Sequence, residues 1–405
     1  MPSLYIARLR HSIYYADLLN KADDIYMRGG EEQRHGLELF DSEWSNIKEG
    51  QEWASRYTPS NKAVDILCLC YPNNGANLLP LRRHSNERIG WLEGGIKAAE
   101  RLQDYSFVAN FLGNLSTAYL GLGEARRALE LSNQHLQIAR NVGDRVSESG
   151  ALGNMGIAYS MLGDPQRTIE ANEQVLSIVH DIGDRRGESN ALNNLATEYL
   201  RLGNISRAHE LLMRALKISR ELGDRHGEGN TLGNIGNVYA KSGDIDRALS
   251  FYERHLQIAR EIGDRHGEAI ELSHLGAAYL ELEDVGRSIT YHEQALSVTR
   301  ELGDKQGEST ELCNLGLAVA RGGDHHLAVE YYQQALAIAN SIGNRSLIGL
   351  TLWNMSLSLR KLGELDDAIR CAESAVEMCE ASRDPLADEV RSTLLRWYLL
   401  QKNVQ

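Results

Sequence analysis

Six asparagines recur at one position of a 40-residue period: Asn114, Asn154, Asn194, Asn234, Asn314 and Asn354, with His274 filling the gap. A carboxamide donates and accepts hydrogen bonds at once. Repeated evenly along one face, it can grip the backbone of an extended peptide whatever the peptide's side chains. The same row can instead tie neighbouring elements together, and the spacing supports both readings. Asn190, Asn230 and Asn237 lie near the row without its regularity, which points to a partner-specific role. These ten positions are the candidate peptide-binding residues.

A second periodic row is cationic: Arg145, Arg185, Arg225, Arg265, Lys305 and Arg345, each directly after a turn residue. Such a row can bind carboxylates or phosphates. The simpler expectation is that each member pairs with Asp or Glu of its own or a neighbouring unit, with little effect on stability.

Bond-making chemistry finds no residues to carry it. There is no HExxH, no GxSxG elbow, no Cys–His nucleophile pair and no GxxxxGK[ST] phosphate loop. His226, His266 and His325-His326 lack ligand spacing on a helix face, and Cys68 and Cys70 read as small core residues. Catalytic residues, metal and cofactor are therefore all expected to be none. The formal charge of -13 argues against nucleic acid. No apolar run reaches membrane-spanning length, so no membrane insertion is expected. The N-terminus, MPSLYIARLRH, has no signal-peptide core. Five cysteines without framework spacing fit a reducing, cytoplasmic setting.

The elements that position these rows follow from the same period. Residues 225–264 read RHGEGNTLGNIGNVYAKSGDIDRALSFYERHLQIAREIGD: helix, turn, helix, turn. Gly143, Gly183, Gly223, Gly263, Gly303 and Gly343 recur in register. So do Asp144, Asp184, Asp224, Asp264 and Asp304, with Asn344 and Asp384 completing the series. A fixed period of this length marks a solenoid. Asp224 is the expected N-cap, and Glu228 one turn on suits the positive end of the helix dipole, as do Glu148, Glu188, Glu268 and Glu308. Leu232, Ile235 and Tyr239 line the buried side of the first helix; Ala248, Tyr252, Leu256 and Ala259 line that of the second. Mid-helix Gly236, with Gly156, Gly276 and Gly316, predicts close packing of the pair, since Gly there costs about 1 kcal/mol against Ala. Glu283 replaces a turn glycine, which predicts a blunter turn in its unit.

The chain divides into a divergent helical segment over 1–104, seven 40-residue units over 105–384 and a capping helix over 385–405. Within the first part, helices are expected over 3–28 and 31–57, bounded by Gly29-Gly30 and Thr58-Pro59-Ser60. A helix pair follows over 62–104, its first half interrupted at Pro72–Gly75. In the cap, Arg391, Arg396 and Lys402 supply a polar outer face, and either Trp397 or Tyr398 is expected to remain exposed.

Leu232, Ile235-Gly236, Tyr239, Ala248 and Tyr252, repeated as Leu192, Leu195-Ala196, Tyr199 and Ala208, resemble the tetratricopeptide repeat pattern. The wording is similar to Pins-type adaptors, and Asn193–Ala196 to kinesin light chain repeats. His135 and His255 fill a normally small position. The resemblance implies an all-α, right-handed superhelical solenoid with the first helices on its concave side. It extends a peptide-binding role to the asparagines of those helices. The segment SIYYADLL, LFDSEWSNIKEGQEWA and RHSNERIGWLEGGIKAAERL resembles the linker and sensor region of bacterial STAND-type ATPases, without their phosphate loop. This implies association with a separate effector or ATPase. The expected function is a scaffold or adaptor for an extended peptide or partner protein. The alternative is a ligand-sensing module of a STAND-type or peptide-receptor system with output through the N-terminal helices.

Overall fold

The structure, a computed structural model, describes residues 4–28, 30–57, 61–81, 85–382 and 384–404. Gly29, Thr58-Pro59-Ser60 and the side chain of Lys402 lie outside the described residues. All regular elements among them are helices. They cluster into two units, Met1–Ala215 and Leu216–Gln405.

The first unit begins with α1 (Leu4–Met27), α2 (Gly30–Tyr57), α3 (Lys62–Asn74), the short α4 (Leu78–Leu81) and α5 (Ser85–Leu102). Leu19, Phe40, Ile47, Val64, Tyr71 and Leu92 form its core. The buried Tyr71 hydroxyl donates to Ser12 O at 2.8 Å, and Ser12 Oγ donates to Gly50 O at 2.9 Å. Gly30 opens α2 rather than ending α1. The expected break at Pro72 also falls later: α3 runs through Pro72 to Asn74 and closes at Gly75. Proline deprives the carbonyl four residues back of its donor. That carbonyl, on Cys68, lies against Gly95, where an ideal Cβ would stand 3.3 Å away. Burial pushes the Cys68 thiol up to about 11, as befits a core residue.

Helix pairs follow in strict alternation. The first helices are α6 (Tyr105–Gly121), α8 (Arg145–Met161), α10 (Arg185–Arg201), α12 (Arg225–Lys241), α14 (Arg265–Glu281), α16 (Lys305–Arg321) and α18 (Arg345–Leu362). Their partners are α7 (Ala125–Val142), α9 (Pro165–Asp181), α11 (Ile205–Leu222), α13 (Ile245–Ile262), α15 (Val285–Leu302), α17 (His325–Ile342) and α19 (Leu365–Ser382), and α20 (Leu386–Val404) closes the second unit. The division between the two units falls within α11.

The caps form as the sequence requires. Asp144, Asp224 and Asp264 each accept a backbone N–H three residues on, at 2.9–3.0 Å. The glycine before each is left-handed, Gly223 at φ 66 and Gly263 at φ 72. Glu283 departs from expectation. It adopts φ 61, and Asp284 N still donates to Tyr279 O at 2.9 Å, against 3.0 Å for Asp244 N to Tyr239 O. The hydrogen-bonded turn overrides the residue's preference, so the turn is as sharp as its neighbours and holds strain instead. Glu283→Gly is therefore expected to raise stability by about 1 kcal/mol, read as a higher denaturant midpoint at unchanged slope.

The small mid-helix residue meets the side chain sixteen positions later. A Cβ on Gly236 would strike the Tyr252 ring, one on Gly316 would stand 2.5 Å from the Tyr332 ring, and one on Gly276 would stand 2.6 Å from His292 Nε2. Each glycine is thus a hole shaped for one large side chain of its partner helix. Where the hole is Ser116, a 2.7 Å hydroxyl contact with Ser132 replaces it.

In the capping helix, Trp397 is buried and stacks on Trp353 at 6.1 Å, while Tyr398 is half-buried and donates to Glu373. Among the described residues the exposed apolar ones there are Leu395 and Leu399, so the expected exposed aromatic is corrected. Trp397 joins the core cluster of Trp353, Ala368, Ala372 and Val390.

Candidate binding face

Within each unit, first helices of consecutive pairs pack on one another: α6 with α8, α12 with α14, α14 with α16 and α16 with α18. Burial of the opposite side against the second helices leaves one stripe of each first helix open. On α12 it comprises His226, Asn230, Asn234, Asn237 and Lys241. The spacing of three or four residues is that of a single helical face.

Every predicted site residue falls on or beside this stripe, but their amides differ in what they touch. Asn154 Nδ2 donates to Gly113 O at 3.2 Å and to Thr117 Oγ1 at 3.3 Å, both on the preceding first helix. Asn314 reaches Ser273 Oγ at 3.5 Å and Asn354 reaches Cys313 Sγ at 3.6 Å, the same backward direction with longer contacts. These three therefore tie adjacent units while remaining half-buried on the open side. Asn114 donates within its own helix to Asn110 at 2.9 Å. Asn190, Asn194 and Asn230 are exposed, and Asn234 is half-buried. Asn237, expected to be partner-specific, accepts from the Tyr252 hydroxyl at 2.8 Å, so its oxygen serves the fold.

His274 stands in the row but belongs to a buried network. Its Nδ1 lies 3.2 Å from Glu271 Oε1, and its ring stacks on Tyr252 at 5.0 Å. The same oxygen lies 3.0 Å from His255 Nδ1, close enough for an ion pair though off the line of a hydrogen bond. Glu271 is 1% exposed, and its second oxygen has no partner. Burial alone pushes the Glu271 carboxyl up; His255 and His274 outweigh it and hold the group below the ordinary carboxylate range. One unit on, buried His292 Nδ1 meets Glu311 Oε2 at 2.8 Å. Glu311, His266, Ile270, His274 and Thr310 help line a cleft of ≈ 520 Å³ between α14 and α16.

Sequence reasoning missed these carboxylates. A signal was present: period mates of Glu271 and Glu311 are Phe111, Ala151, Ala191, Thr231 and Thr351. Two acids in an otherwise small or apolar series require polar partners, and His255 and His292 stand 3.0 Å and 2.8 Å from them. His135 is the converse. It is the period mate of His255, the residue in register with Glu271 is Ala151, and both its ring nitrogens lack partners. Burial lowers its imidazole below the ordinary range.

The cationic row is consumed internally at every position but Arg345. Glu228 accepts from Arg220 Nε at 2.8 Å and from Arg225 Nη1 at 2.7 Å. Glu148 is clamped likewise by Arg140 and Arg145, and Glu308 by Arg300 and Lys305. Arg225 and Arg265 also reach Glu261 and Glu301 of the same units at 2.5 Å. The first-turn glutamates thus serve as ion-pair partners in addition to standing at the positive ends of their helices. At Arg345 the glutamate position is Ile348, and no ion pair of Arg345 occurs among the described residues.

A third feature of the open stripe is apolar. Val146, Ile157 and Met161 of α8 are exposed, with Gly150 and Gly153 between them. In the second unit Ile270, Leu350 and Leu357 are exposed on the corresponding sides of α14 and α18.

The tetratricopeptide repeat model matches five overlapping stretches, 107–179, 147–221, 188–261, 227–285 and 268–341. The chain belongs to the tetratricopeptide repeat family. Among curated proteins none matches its sequence. Solved structures with the same fold include a signal transduction ATPase with numerous domains and a tetratricopeptide repeat sensor from Pyrococcus horikoshii. It is 17% identical with a TM-score of 0.58, and the likeness covers 96% of this chain and 60% of that one. The Rap conjugation gene regulator of plasmid pLS20, in complex with a Phr peptide, is 15% identical with a TM-score of 0.56, covering 82% of this chain and 96% of that one. A Rap protein complexed with Competence and Sporulation Factor is 13% identical with a TM-score of 0.54, covering 85% and 100%. At these identities the likeness shows the fold. No described helix is long and apolar enough to cross a membrane.

Proposed function

We propose that this tetratricopeptide repeat chain is a scaffold or adaptor that holds an extended peptide or partner segment on the open face of its first helices. We take 105–384 as the seven units that carry this face, 1–104 as a divergent helical segment and 385–405 as the cap. The observation that carries the reading is the exposure of Asn190, Asn194 and Asn230 beside the half-buried Asn row, on helices whose other sides are fully packed. Amides there meet backbone donors and acceptors, and each unit adds a weak contact, so affinity sums along the repeats. The Rap conjugation gene regulator named above is in complex with a peptide, which makes such an occupant reasonable for this fold. The free state of all five cysteines suits a reducing, cytoplasmic setting.

The test is the variant Asn190→Ala with Asn194→Ala, both on α10, measured for binding of an extended peptide by titration alongside its circular dichroism. The expected result is a loss of roughly tenfold in affinity with helicity kept, as for one or two removed hydrogen bonds. Loss of helical signal instead would assign these amides to the fold.

A second reading, a ligand-sensing regulator with output through the N-terminal helices, draws on the apolar outer strip of α1. Ile6, Ile13 and Tyr14 are exposed there, suited to an effector or ATPase partner. A sensor changes amide exchange in α1–α5 when peptide binds; a plain adaptor does not.

A further inference from the structure

The position held by Glu271 and Glu311 is Phe111, Ala151, Ala191, Thr231 and Thr351 in the other units, so the helix pair folds without a carboxylate there. A buried carboxylate costs stability unless its oxygens are met. Glu271 is closed in: the two histidines that meet it share one oxygen, and the other is buried without a partner. Glu311 is 4% exposed, yet it borders the cleft of ≈ 520 Å³ between α14 and α16. His292 meets its Oε2 at 2.8 Å, and no second hydrogen bond reaches the carboxylate among the described residues. Oε1 is therefore left for a group that enters the cleft. The surroundings select that group. None of the residues lining the cleft is a lysine or arginine, and Asp304 adds a second carboxylate. Thr310 Oγ1 donates to Gln306 O at 2.9 Å, which leaves it a lone pair to accept with. Ser273 brings a hydroxyl from α14, and Ile270, exposed on the same helix, an apolar wall. Among the described residues no three His, Cys, Asp or Glu side chains converge as a metal ion would need.

We propose that the cleft between α14 and α16 binds a small organic cation, a primary ammonium on a short apolar body, with Glu311 Oε1 as its anchor. An ammonium is all donor. Its N–H groups take the carboxylate and the hydroxyls of Thr310 and Ser273, while the apolar body lies against Ile270. The volume of ≈ 520 Å³ suits a small molecule, whose sites run from about 300 to 1,000 Å³. His292 holds the carboxylate by its other oxygen, so the anchor is fixed before the ligand arrives. The site is independent of the peptide reading above, since it uses a carboxylate at one seam rather than the amides of many units.

The probes are n-butylammonium, 1-butanol and a capped Gly–Gly–Lys–Gly–Gly peptide, titrated into the full chain by calorimetry and followed by amide NMR. The ammonium is expected to bind at least about tenfold tighter than the alcohol, the worth of one hydrogen bond to a charged group. Its amide shifts should be confined to 266–274 and 304–311, the stretches of α14 and α16 that line the cleft. E311Q keeps an acceptor for His292 and removes the charge. In it the advantage over butanol should vanish, with the melting temperature of the parent. If E311Q melts lower, E311T decides, because Thr231 and Thr351 fill that position in other units. An advantage that survives in either folded variant overturns the proposal, as does equal binding of ammonium and alcohol by the parent. Amide shifts spread along the chain overturn it too, since the net charge of -13 then gathers cations without a site. Tighter binding of the lysine peptide than of n-butylammonium assigns the ammonium to a polypeptide and overturns the small-molecule reading.

Discussion

Gly236→Leu is expected to destabilise the chain by about 3 kcal/mol, seen as a drop of several degrees in melting temperature. Even a single added methyl would enter the Tyr252 ring, which is 3% exposed and has nowhere to go. Tyr252 is held from three directions: its hydroxyl donates to Asn237, its ring stacks on His274, and its flank packs in the cluster with Leu256, Leu272 and Leu275. Displacing it disturbs the helix pair and the next unit together. The chain contains its own control. In α10 and α11 the corresponding residues are Ala196 and Leu212, both fully buried. Gly236→Ala combined with Tyr252→Leu copies that pair and should lie within about 1–2 kcal/mol of the parent, the remainder being the lost hydroxyl bond. If Gly236→Leu alone melts like the parent, the hole is not filled as described.

The second large effect concerns a charge. His255→Ala removes one of two histidines facing Glu271, whose second oxygen already lacks a partner. Breaking a buried pair by deleting one side costs about 3–5 kcal/mol, because the remaining ion stays out of water. Removing both sides should restore most of that loss. His255→Val with Glu271→Ala reproduces Val175 and Ala191, the residues at the corresponding seam in the first unit. Chemical denaturation of the parent, single and double variants measures the coupling directly. A single variant as stable as the double would show that Glu271 gains nothing from His255.

The pH dependence has a definite sign. The Glu271 carboxyl is held below its ordinary value, so in acid the unfolded chain takes up the proton first. The seam's contribution is then fully present above the ordinary glutamate range, near pH 4.3, and is lost as pH falls toward the folded value. His135 acts in the same direction, because its lowered imidazole must charge on acidification. The double variant lacks the Glu271 part of the acid loss and should show a shallower stability slope below about pH 5.

The repeat, its helix boundaries, its caps and the holes at Gly156, Gly236, Gly276 and Gly316 were all legible in the chain. Each arises from contacts between residues close in sequence, or from a period that restates them unit after unit. The pairing of the cationic row after the turns was also readable in part, since the first-turn glutamate that Arg225 meets lies three residues on. The turn at Glu283 was not. Its conformation is imposed by hydrogen bonds that the flanking helices fix, against the residue's own preference. Pro72 likewise stays inside α3 because Gly95, on another helix, leaves room for the carbonyl it frees.

The sequence by itself determined that helix pairs would stack and which side of each first helix would stay open, because one period sets both. The tertiary structure alone decided what the open side offers. It assigned Asn154 to a neighbouring unit's backbone, tied His274 to a buried carboxylate, and set Glu311 beside a cleft while pairing every described Glu-facing member of the cationic row. The reason is distance. Partners 16 to 41 residues apart meet only when helices are packed, and a side chain's role depends on which of its hydrogen bonds packing has already filled.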